Sequence, residues 1–265
     1  MQQISTIIVL LLLLTSCTHD KLEEKGFPVA TNTNTSTTTN AENTTENNGL
    51  QSDSLRFETQ PSNVLLTGLT NVRLISIYKV NTNRNDGTKF IGSNDFHYND
   101  SELPKGNNWN NNLLPGLKAV YGYNLVNIAQ FDIAKQQQKQ FFSKPVLIKT
   151  VYYPTDTKDT LNYQPIKRDY CLVSVYDEDT NKDGFINLKD LRHFYLFDKN
   201  GEKQDTLVGT NYSVYKSEYD PDNDLLYAFA RLDLDNNGQI DDTEPIHIFG
   251  INLKNPSKHF QLYKP

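Results

Sequence analysis

Four stretches in the C-terminal half of the chain alternate or run apolar over five or six residues, in matched pairs. Leu172–Tyr176 and His193–Phe197 form one pair, and Leu225–Ala230 and Ile246–Ile251 the other. They are rich in β-branched and aromatic residues and too short for helices, so they read as strands. Further strands are expected at Val72–Val80, Leu117–Tyr123, Leu125–Phe131 and Val146–Tyr153, with a hairpin turn at Asp86-Gly87. The stretch Ile133–Phe142, with three consecutive glutamines, reads as a short helix or a polar connection. Turn chemistry marks Asp198-Lys199-Asn200-Gly201, Asp220-Pro221-Asp222-Asn223-Asp224 and Asn252–Pro256. The pattern predicts an all-β chain.

The two strand pairs form a repeat with an offset of 54 positions and no gap: Leu172 matches Leu226, Ile186 matches Ile240, His193 matches His247, and Tyr195 matches Phe249. The repeat covers 171–199 and 225–253. A unit used twice in this way is an antiparallel β-meander. Two architectures accommodate it: a small or incomplete β-propeller, or a β-sandwich with two similar hairpins.

Between the strands of each pair lies a polar twelve-residue segment, Asp179–Asp190 in the first and Asp233–Glu244 in the second. Both follow D-x-[DN]-x-[DN]-G-x-I-x-x-x-[DE]. Calcium takes six to eight hard oxygen ligands, and a short loop supplies them from positions 1, 3, 5, 7 and 12, with glycine at 6 for the sharp turn. The first loop would use the side chains of Asp179, Asn181, Asp183 and Asp190 and the carbonyl of Phe185. The second would use Asp233, Asp235, Asn237 and Glu244 and the carbonyl of Gln239. Asn187 and Asp241 stand at position 9, where contact is often through water. The expected cofactor is calcium, at two sites. Asp190 is one methylene shorter than the usual glutamate, so the first loop is expected to bind more weakly or to tolerate magnesium.

The loops resemble those of the EF-hand family, and the first is similar to a dockerin loop. Because strands rather than helices flank them, the resemblance implies the cage and not paired helices, and cohesin binding is not implied. The 54-residue spacing and the turn Tyr219-Asp220-Pro221-x-Asn223-Asp224-x-x-Tyr227 resemble blades of TolB-like propellers.

The N-terminus changes the picture. Ile4–Leu14 is an apolar run too short for an ordinary span, ending in Leu14-Thr15-Ser16-Cys17. This resembles the lipobox of bacterial lipoproteins, which implies cleavage before Cys17 and lipidation of its thiol. Thr18 replaces the Asp of inner-membrane retention. Asp20, Glu23 and Glu24 resemble the surface-export signal of Bacteroidetes lipoproteins. The expected address is the outer membrane, facing the periplasm or the cell surface. From Pro28 to about Ser54, Thr and Asn dominate and apolar residues almost vanish, which reads as a flexible tether. The expected organisation is signal peptide 1–16, lipidated Cys17 with a disordered tether to 54, and an all-β calcium-binding domain over 55–265.

The 265 residues carry a formal charge of −6, which argues against nucleic acid as a partner. Fifteen Tyr and thirteen Phe against one Met suit strands. With Cys17 lipidated, Cys171 has no intrachain partner and reads as a small core residue. His193 and His247 read as hydrogen-bonded strand residues rather than metal ligands. No hydrolase, Walker or dinucleotide motif occurs, and no enzyme activity is expected. Asp53-Ser54-Leu55, Asp159-Thr160-Leu161 and Asp205-Thr206-Leu207 resemble a short Bacteroidetes O-glycosylation motif. The functional reading is a lipid-anchored envelope protein whose calcium stabilises hairpin loops of a binding or scaffold domain, with a protein or glycan partner. The alternative is a glycan-binding or glycan-processing accessory, with Trp109 in Gly106–Asn112 available to stack on a sugar; a hydrolase is the remaining class.

Overall fold

The computed structural model describes residues 26–29, 57–83, 86–92 and 114–265. The signal segment, Cys17, most of the tether, Asp53–Leu55 and Trp109 lie outside the described residues.

In chain order the strands are β1 (Phe27–Pro28), β2 (Thr59–Leu66), β3 (Val72–Lys79), β4 (Asn81–Thr82), β5 (Lys89–Phe90) and β6 (Leu117–Asp132). They continue with β7 (Gln137–Gln140), β8 (Leu147–Pro154), β9 (Asp159–Leu161), β10 (Gln164–Ile166), β11 (Cys171–Tyr176) and β12 (Phe185–Ile186). The chain closes with β13 (His193–Phe197), β14 (Lys203–Thr206), β15 (Tyr212–Asp220), β16 (Leu225–Leu232), β17 (Ile246–Asn252) and β18 (His259–Tyr263). All pairings are antiparallel, and no helix occurs among the described residues.

One large sheet runs β14-β13-β11-β8-β6-β3-β2, with β7 added on β6; a second runs β15-β16-β17-β18. The sequence repeat appears as two four-stranded meanders, β8-β11-β13-β14 and β15-β16-β17-β18, each with a twelve-residue loop between its second and third strands. The first meander merges through β8 into the rest of the large sheet. The second packs on its face, so that Leu172, Phe194 and Leu196 share one core with Leu226, Ala228, Ala230 and Ile251. Of the two architectures left open, this is sandwich-like, and neither sheet closes into a barrel.

β11 and β13 are buried along their whole length because both faces are covered. Cys171, Val173 and Val175 point away from the second sheet into another core shared with Leu74, Tyr78, Ile128 and Phe197. That core exists because the large sheet bends over itself. Register breaks fall at one level across it, at Ser174/Val175, Tyr121/Leu125, Ile77/Tyr78 and Pro61/Val64. Such bulges kink each strand and raise its twist. β6 carries the largest, with Asn124 at φ 58°. The two strands expected at Leu117–Tyr123 and Leu125–Phe131 are therefore one bent strand.

The expected Asp86-Gly87 hairpin is present, closing β4 on β5. Ile133–Phe142 is neither helix nor connection: it turns at Gln136 (φ 53°), and β7 pairs back onto β6. Free edge positions on the sheet, rather than glutamine's helix propensity, decide this segment.

Phe27 and Pro28 fall in the stretch read as a tether. In the structure they pair with Ile186 and Phe185 inside the first loop. Phe27 is buried against Val126, Leu147, Tyr176 and Ile186, where its side chain contributes about 2 kcal/mol of apolar burial.

Candidate metal loops

The two twelve-residue segments have the same internal hydrogen-bond frame, position by position. At position 1, the Asp179 carboxylate accepts the N–H groups of Asp183 (3.0 Å) and Gly184 (2.9 Å). The Asp233 carboxylate accepts those of Asn237 (3.1 Å) and Gly238 (3.0 Å). At position 3, Asn181 accepts from Asp183 N–H and Asp235 from Asn237 N–H. At position 5, Asp183 accepts from Phe185 N–H and Asn237 from Gln239 N–H. At position 9, Asn187 and Asp241 each cap the N–H two residues on, at 2.7 Å.

At position 12, the two Asp190 oxygens accept Thr180 N–H (2.9 Å) and Asn187 N–H (2.8 Å). Glu244 makes the equivalent pair, to Leu234 N–H (3.1 Å) and Asp241 N–H (3.2 Å). The shorter Asp190 thus reaches the same two backbone groups as the glutamate. Both frames also need left-handed residues at positions 4 and 6: Lys182 and Gly184 in the first loop, Asn236 and Gly238 in the second.

This frame turns the acidic side chains toward one another. In the second loop, oxygens of Asp233, Asp235 and Glu244 lie within 4.8 Å of one another. The first loop also has three carboxylates at its ligand positions, Asp179, Asp183 and Asp190, but its asparagine stands at the third position rather than the fifth, and Asn187 stands where the second loop has Asp241. Burial raises the pKa of both position-12 carboxyls, and neighbouring carboxylates, Asp179 for Asp190 and Asp233 for Glu244, push the same way. A hard, oxygen-only donor set under mutual repulsion fits a hard divalent cation. Asp179, Asn181, Asp183 and Asp190 could hold one such ion, and Asp233, Asp235, Asn237 and Glu244 another. Of the two position-7 residues, Phe185 lies in β12 and Gln239 is exposed.

The loops touch each other. Thr180 Oγ1 donates to Gly238 O at 2.7 Å. A Cβ on Gly238 would stand 2.0 Å from the Thr180 carbonyl oxygen, whereas one on Gly184 would meet nothing within 4 Å. Both glycines have positive φ, but only Gly238 is also required by close approach.

The two repeat histidines do not meet. His193 Nδ1 lies 2.6 Å from Asp177 Oδ1 and its Nε2 3.1 Å from Thr210 O; Tyr195 also donates to Asp177. Burial works against charge on His193, but the Asp177 hydrogen bond and charge outweigh it and raise its pKa. His247 instead faces the hydroxyl of Tyr212 and the amide of Gln261, and burial lowers its pKa. Cys171 is buried and burial pushes its thiol pKa up, which is core chemistry rather than nucleophile chemistry.

Sequence reasoning missed the buried pair that ties the sheets together. Arg168, just before β11, donates to both Asp224 oxygens at 2.7 and 3.0 Å and also to the carbonyls of Leu253 and Pro115. Tyr170 donates to the same Leu253 carbonyl at 2.6 Å. Asp224 was visible only as part of a turn, and Arg168 had no signal at all. The chain matches no protein-family model and no curated protein.

Proposed function

We propose that this chain is a lipid-anchored protein of the bacterial outer membrane whose β-sandwich binds two calcium ions and uses them mainly as structural staples. The observation that carries the reading is the same carboxylate-bearing frame occurring twice, once with three carboxylate oxygens drawn within 4.8 Å. Burial raises the pKa of Asp190 and Glu244, and repulsion from neighbouring carboxylates adds to it. When bound, calcium supplies positive charge that relieves the repulsion. The chain's own part is to orient the oxygens through backbone N–H groups and to shield position 12 from water. Because the loops touch through Thr180 and Gly238, and one of them touches the N-terminal segment, ordering them stiffens one end of the sandwich. The domain is then a scaffold for a protein or glycan partner at the envelope. The glycan-accessory reading rests on Trp109, outside the described residues.

An ion that binds only the folded state stabilises it by mass action. Thermal unfolding of the mature chain in calcium and in EGTA, with magnesium in both, should show a clear upward shift of Tm in calcium. The Asp179→Ala/Asp233→Ala variant should abolish that shift. An unchanged Tm in calcium would reduce the loops to polar turns. Mass spectrometry of the membrane-extracted chain should find diacylglycerol on Cys17, absent in Cys17→Ser.

A further inference from the structure

We infer that the end of the sandwich carrying the two loops is the face that lies against the lipid surface, docked there when calcium is bound. This rests on the calcium and lipid-anchor readings above.

The decisive feature is β1. A free tether from Cys17 to residue 54 would leave the domain's orientation open, because a chain of that length spans roughly 35 Å on average and far more when extended. The structure instead fastens the chain at Gly26–Val29, directly on the first loop. Phe27 pairs with Ile186 and Pro28 with Phe185, and Val29 N–H donates to Gly184 O at 2.9 Å. Gly26 packs so closely that a Cβ there would stand 1.8 Å from Ile186 O. Only nine positions separate Cys17 from Gly26, and fully extended they reach at most roughly 30 Å. The lipid therefore holds the first loop close to the bilayer, and the second loop, which touches the first, comes with it.

The surface so presented suits a lipid headgroup layer. Each loop exposes one large apolar side chain, Phe185 at 42% and Leu234 at 67%. Both stand beside the acidic positions. Without cations the acidic loops repel an anionic membrane; with two calcium ions the repulsion is offset and phosphate oxygens become available ligands. The strap leaves the cage intact: Val29 N–H takes the Gly184 carbonyl, so Pro28 and Phe185 form a non-hydrogen-bonded pair and the Phe185 carbonyl faces away from β1. The other end of the same strands, with the turn Asp198–Glu202, faces away from the membrane in this arrangement.

The test uses the lipidated full chain in vesicles of zwitterionic and anionic phospholipid containing a nitroxide-headgroup lipid. One fluorophore is placed at Lys189→Cys, in the first loop, or at Lys199→Cys, in the opposite turn; both positions are exposed, and buried Cys171 stays unlabelled. In calcium, quenching at 189 should be at least threefold stronger than at 199, and EGTA should remove most of the difference. Leu234→Ser, which removes an exposed apolar side chain that is not a ligand, should lower quenching at 189 without changing calcium uptake measured in detergent. Equal quenching at the two positions, or stronger quenching at 199, with calcium bound and Cys17 lipidated, overturns the inference alone. Absent calcium uptake, or absent lipid by mass spectrometry, overturns the underlying reading and this inference with it.

Discussion

Gly184 and Gly238 occupy the same position of the two loops and have similar backbone conformations, φ 86° and 74°. They form a matched pair in which one energetic contribution differs. Replacing either by alanine forces a Cβ into the left-handed region, at a cost of about 1–2 kcal/mol. At Gly184 nothing lies within 4 Å of the new methyl group, so the cost ends there. At Gly238 the methyl would stand 2.0 Å from Thr180 O, 2.3 Å from its carbonyl carbon and 2.8 Å from Asn181 N. These are backbone atoms and cannot swing aside, so the loops must separate. Separation also removes the Thr180 Oγ1–Gly238 O hydrogen bond, worth about 1 kcal/mol. Gly238→Ala should therefore destabilise the protein by about 1–2 kcal/mol more than Gly184→Ala. Equilibrium urea unfolding of both variants, in EGTA to exclude ion effects, measures the difference directly. Equal losses of stability would refute the close approach of the two loops.

The Arg168–Asp224 pair should behave as a buried charge pair: Asp224→Ala, which leaves Arg168 uncompensated, should cost about 3–5 kcal/mol. Restoring apolar complementarity with Arg168→Met in the same chain should recover part of it, and a loss under 1 kcal/mol in chemical denaturation would show the pair to be peripheral. Stability should also follow the Asp177–His193 pair. The raised His193 pKa contributes stability that is complete below its unfolded value of 6.5 and is lost as pH rises through the folded value. The Asp177 carboxyl, whose pKa the His193 contact lowers against the cost of burial, contributes above its unfolded value of 3.8 and is lost as pH falls through the folded one. Metal-free wild type should therefore lose stability from pH 6 to 9 relative to His193→Gln, and parallel pH profiles of the two would exclude the pair as the cause.

The loops were legible in the chain because their geometry is local. Each side-chain oxygen of positions 1, 3 and 5 bonds a backbone N–H two to five residues ahead, so twelve residues specify the frame. The strands flanking them were equally legible, since burial on both faces leaves β11 and β13 almost wholly apolar and aromatic, with only Ser174 and His193 polar. Other elements belong to tertiary structure. β7 is polar and glutamine-rich, and is a strand only because β6 offers it a partner. Propeller and sandwich share the same meander, and the choice between them lies in how the second sheet meets the first. Phe27 sits at the edge of a Thr/Asn-rich stretch, and nothing near it in sequence announces the Ile186 seat far along the chain. Arg168 meets Asp224 across 56 residues, and Thr180 meets Gly238 across 58. A local pattern records which groups a segment can orient by itself; contacts between distant segments arise only when burial brings their surfaces together, and these contacts set which end of the sandwich holds the loops and the N-terminal strap.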